Sequence, residues 1–170
     1  LLEYANWLLG ELEVMEGRAE AARDRLQLLV TVDGPYVVSL LMTLVWAYLT
    51  MDDLDRAEQA AHRGLAIAEE RHQRLYVPEG LRVQGMILAR QERWDEAKRI
   101  FEEAVSLAHS MPYPYAEARA LYEYGLMYSQ KGEPEQARER LEKALSIFVR
   151  LGTKKDVERM EQALAELAAV

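Results

Sequence analysis

Glu69 and His72 stand three residues apart, the Glu-x-x-His spacing that places a carboxylate and an imidazole on one helix face in di-iron bundles. That chemistry needs a second such pair and two further inward glutamates, and the chain has no second pair. His62 follows Glu58 by one helical turn, on what reads as a solvated outer helix; His109 is the remaining histidine. There is no glycine-rich phosphate loop, no G-x-S-x-G nucleophile motif and no cysteine. Acid pairs such as Glu69-Glu70 and Glu102-Glu103 read as a solvated face, and nothing converges on a nucleophile, base and oxyanion hole. The sequence therefore predicts no catalytic residue, no metal site and no cofactor. The chemistry left to it is recognition by aromatic, methionine and arginine side chains.

Composition narrows the partners. Of 170 residues, half are hydrophobic and 29% charged, with nine glycines and five prolines, as in ordered helical proteins. The net charge of −8, from 29 acids against 21 bases, opposes direct binding to nucleic acid or to an anionic membrane surface. The start, "LLEYANWLLGELE", has no basic signal-peptide region. It begins inside an apparent helix and without methionine, which leads us to expect a fragment of a longer cytoplasmic protein. Residues 34–51 are uncharged, long enough for a membrane span, but acids at both ends and Gly34-Pro35 favour a buried helix.

The elements that position these residues follow from an internal repeat. Ala57, Ala97 and Ala137 recur at forty residues. Seven positions on stand Gly64, Ala104 and Ala144, and twelve positions before the alanines stand Val45, Gly85 and Gly125. Leu41, Leu81 and Leu121, then Tyr48, Leu88 and Tyr128, complete the frame, and an earlier copy aligns Gly10 and Ala22 at a spacing of thirty-five. Each unit reads as two amphipathic helices: 1–15 with 18–31, 36–51 with 53–73, 78–91 with 94–110, and 115–131 with 134–150. Small residues let the helices of a pair approach closely, and large apolar ones fill the space between pairs. A ninth helix from 153 to 169, with Thr153 and Asp156 as a capping box, carries Val157, Met160, Leu164 and Leu167 on one side and charges on the other.

This pattern resembles the tetratricopeptide repeat. The closest unit has Leu121, Gly125, Tyr128, Gly132, Ala137, Leu141 and Ala144; the first unit departs from it, with Glu13 where the family prefers tyrosine. The resemblance implies an all-α, right-handed superhelical solenoid of antiparallel helix pairs. We expect one domain of four repeats, 1–33, 34–74, 75–112 and 113–152, plus the capping helix. The forty-residue period is similar to that of the sensor arrays in bacterial signal-transduction ATPases and maltose-activator-type regulators. In the family the first helix of each pair lines a concave groove. Carried over by position, the groove would present Trp7, Met42, Trp46, Arg82, Met86, Arg90, Arg119, Tyr122 and Leu126, with Glu79 and Glu123 interrupting its basic part.

The function so implied is binding of a protein or peptide ligand with apolar anchors and acidic flanks. The bland alternative makes Trp7 and Trp46 core residues and pairs the arginines with Glu79 and Glu123. Rival functions are a small-molecule effector sensor and a scaffold that self-associates through its N-terminal end. Chaperone tails are not expected: the family's carboxylate clamp needs groove asparagines, and the one asparagine, Asn6, falls on the framework.

Overall fold

A helix pair closes tightly only where its facing positions are small, and the recurring alanines meet that demand. The computed structural model describes residues 2–31 and 34–169, and these form nine α-helices, one short 3₁₀ turn and no strand. The expected limits at Leu1, Asp33 and Val170 lie outside the described residues. The chain divides into two compact units, Leu1–Ile87 and Leu88–Val170, and the division falls inside a helix of the third repeat. The first unit holds α1 (Leu2–Met15), α2 (Ala19–Gln27), α3 (Val37–Thr50), α4 (Leu54–Glu70), the 3₁₀ turn Arg74–Tyr76 and most of α5 (Val77–Arg90). The second holds the end of α5, then α6 (Trp94–Ser110), α7 (Pro114–Lys131), α8 (Pro134–Leu151) and α9 (Lys154–Ala168).

Ala22 and Ala57 in the first unit, and Ala97 and Ala137 in the second, are wholly buried. Gly125 shows why their pairing partners are small as well. A Cβ there would lie 2.8 Å from Leu141 Cγ and 3.2 Å from the Ala137 carbonyl oxygen. In α3 every residue from Val37 to Leu49 is buried, against α1, α2 and α4 and the side chains of Val83 and Ile87. The long uncharged run is thus the central helix of the first unit. Among the described residues no helix is long and apolar enough to cross a membrane.

The turn inside each helix pair repeats in its backbone as well. Gly17, Asp52, Glu92 and Gly132 all take positive φ, at 77°, 60°, 56° and 80°. They occupy one position of the repeat, so the turn demands a left-handed residue whether or not glycine supplies it.

α9 turns its apolar stripe inward: Met160 is fully buried, with Val157, Leu164 and Leu167 packed around the same core as Phe148. Two expectations are corrected here. The Thr153 hydroxyl donates back to the Phe148 carbonyl (3.4 Å) and makes no cap bond to α9, so there is no capping box. Arg159, expected on the wet side, lies 4.7 Å over the Tyr122 ring.

Candidate interaction surfaces

The candidate residues of the first unit are drawn into its interior. Trp46, Arg82 and Met86 come together. The Arg82 guanidinium sits 5.9 Å from the Trp46 ring centroid, its Nε donates to Glu79 Oε2 at 2.7 Å, and its Nη1 lies 3.1 Å from Met86 Sδ. Trp46 is 8% exposed and packs with Val14, Ala19 and Ala22; Arg82 is 2% exposed. Met42, also buried, reaches the space beside Gly64 on α4. The open placement expected for Met42, Trp46 and Arg82 is therefore corrected. α3 is enclosed on every side, and an arginine that meets a carboxylate one turn away can be buried beside an indole. Trp7 is half-buried and shares an aromatic group with Tyr4 (5.7 Å) and Tyr36 (6.5 Å).

The second-unit candidates stay nearer the surface. Arg90 is exposed, and Arg119, Tyr122 and Leu126 are half-buried. Arg119 lies 5.7 Å over the Tyr115 ring. Burial first, then the neighbouring Glu123 charge, raises the Tyr122 phenol above its ordinary pKa, with Arg159 opposing. At 100° per residue, Arg119, Tyr122 and Leu126 share one side of α7.

The opposite side of α7, with Glu117, Leu121 and Tyr124, floors a cleft that groove reasoning overlooked. It runs between α6 and α8 and has a volume of about 720 Å³. Arg140, Lys143 and Arg150 line it from α8, and Glu102, Val105 and His109 from α6. An aromatic ladder backs it: Phe101 stacks on Tyr124 (5.5 Å) and Tyr124 on Tyr128 (5.0 Å), with Arg140 over both tyrosines. The Tyr124 hydroxyl donates to Glu102 Oε1 at 3.1 Å. Burial, then the hydroxyl of Tyr128, drives the Tyr124 pKa far upward, so it remains a neutral donor. The signal for this cleft was available in the spacing of Arg140, Lys143 and Arg150, which share a face of α8.

None of these constellations sets a nucleophile beside a base. Among the described residues no group of three His, Asp or Glu side chains is placed to hold a metal ion. Glu69 is exposed, as is His72, which lies beyond the end of α4 with φ of 52°.

Comparison with known proteins agrees with this architecture. The family model described as "Tetratricopeptide repeat" matches residues 77–148, the segment that runs from α5 into α8. A solved structure titled "Functional Characterization of Pseudomonas Aeruginosa pilF" is similar in fold, with a TM-score of 0.59 at 20% identity. The match covers 97% of this chain and 76% of that one. No curated protein matches the sequence. Tetratricopeptide repeats generally mediate protein–protein interaction and are typically non-catalytic.

Proposed function

We propose that the chain is a peptide-binding interaction module of a larger cytoplasmic signalling protein, acting as its sensor. The ligand lies on the face of α7 that carries Arg119, Tyr122 and Leu126, together with Arg90. One observation carries this reading: these four side chains keep surface within the repeat-bearing segment, while Met42, Trp46 and Arg82 are packed away. An arginine, a phenol and a leucine suit a short segment with an apolar anchor and an acidic flank. The forty-residue repeat, similar to that of signalling sensor arrays, supports the sensor role.

The test is selection of a displayed peptide library on the purified chain, followed by affinity measurement. We expect enriched peptides whose binding falls about tenfold with Arg119→Ala and with Leu126→Ala, on the scale of a lost anchor contact. Selected peptides indifferent to both substitutions would overturn the reading.

A further inference from the structure

The cleft between α6 and α8 has a counterpart in the first unit. There α2 and α4 flank Leu41, Leu44 and Tyr48 of α3, and the volume is about 320 Å³. Residues 80 apart correspond: Leu41 with Leu121, Leu44 with Tyr124, Arg63 with Lys143. In the first unit Arg63 reaches across and donates to the Val30 carbonyl at 2.6 Å, tying the two walls together. Lys143 instead turns along its own helix to Glu139 (2.7 Å), and the second cleft stays open.

The second cleft also departs from the repeat in charge. Arg140 stands where the first unit has Ala60, and Arg150 where it has Glu70. Two of the three cations of the α8 wall meet Glu139, which lies 2.6 Å from Arg140 and 2.7 Å from Lys143. Glu139 and Lys143 are both more than half exposed, so exchanging that carboxylate for another costs little. The two acids in the lining already have partners of their own: Glu102 accepts from Tyr124, and Glu117 faces His109 Nδ1 at 3.2 Å. Val105 of α6, Leu121 of α7 and Ile147 of α8 supply the apolar part of the lining. The lining thus carries three cations against two carboxylates that are already engaged, in a chain of net charge −8.

We propose that this cleft is a second docking site, for an acidic peptide segment, on the side of α7 opposite the face assigned above. The inference rests on reading the chain as an interaction module, but it shares no residue with that face. Lys143 and Arg150 are seven residues apart on a helix, about 10 Å. A segment in the polyproline II conformation rises about 3.1 Å per residue with three residues per turn, so residue i+3 returns to the same side about 9 Å along. The occupant therefore carries acids three residues apart, with aliphatic side chains between them for Val105 and Ile147.

Fluorescence polarisation with labelled acetyl-Gly-Glu-Leu-Val-Glu-Leu-Gly-amide tests this on the whole chain. We expect saturable binding that weakens with salt and falls at least about tenfold in the Lys143→Glu/Arg150→Glu double variant. The peptide with both glutamates changed to lysine should bind that variant and not the original chain. Arg138→Glu, a single charge reversal outside the cleft, should leave affinity unaltered. No binding at millimolar peptide, or equal loss with Arg138→Glu, overturns the site. Loss with Arg119→Ala alone assigns the peptide to the other face, which overturns this inference and keeps the first reading. Full competition by free glutarate makes the occupant a small dicarboxylate and overturns the peptide.

Discussion

Tyr48, Leu88 and Tyr128 stand at one site of the repeat, and the first repeat puts Glu13 there. A buried carboxylate is costly unless paired, and Glu13, 5% exposed, is paired bidentately. Arg25 Nε and Nη2 donate to its two oxygens at 3.0 and 2.7 Å. Asn6 accepts from the same guanidinium at 3.2 Å, so this asparagine serves the framework. The Arg25 hydrogen bond holds the Glu13 pKa below its ordinary value against the opposing effect of burial. A depressed folded-state pKa gives stability that is present above the unfolded value and lost as pH falls through the folded one. Glu13→Gln should therefore lower stability at neutral pH by about 1.5–3 kcal/mol, the scale of a charged hydrogen bond. Its deficit should shrink below the ordinary carboxylate range, which urea melts at several pH values will show. The left-handed turn makes a second prediction at this scale. Gly132→Ala should cost about 1 kcal/mol, and Glu92→Gly should recover up to about 1 kcal/mol, both read from thermal melts.

At the scale of the helix, tight pairing depends on matched small residues. Ala137→Leu in α8 has no space to occupy and should cost about 1–3 kcal/mol by overpacking against α7. An unchanged melting temperature would mean that Ala137 does not face α7. The pairs were legible in the sequence because Ala22, Ala57, Ala97 and Ala137 report backbone proximity directly. Their helices begin and end close to the expected residues, except that α2 stops at Gln27, short of 31. The faces were less legible. Position in the repeat tells which side of α3 a residue is on, but not that all sides of α3 are covered. Met42 and Trp46 thus read as ligand contacts, although burial of an uncharged helix explains them fully. Arg82 misled for another reason: its pairing with Glu79 and its indole neighbour depend on tertiary contact. The α6–α8 cleft lay on helices whose exposed residues read as plain solvated surface.

For the molecule as a whole, the division at Ile87 and Leu88 separates two cores. In repeat architectures stability is built from local units and their neighbours. Trp46→Ala removes a large side chain from the first core and should cost about 3–5 kcal/mol. Hydrogen exchange should localise the loss, with amides of α1 to α4 losing protection and those of α8 and α9 keeping theirs. Uniform loss across both units would show one cooperative block. The burial of α3 has a further consequence before folding is complete. While the ribosome is still making the helices that enclose it, "VVSLLMTLVWAYL" is a β-branched, aromatic and uncharged stretch open to other chains. Asp52, Asp53 and Asp55 follow it closely, and flanking charges of this kind oppose such association. Neutralising them should lower the soluble yield of fresh synthesis more than it lowers the melting temperature of protein already folded.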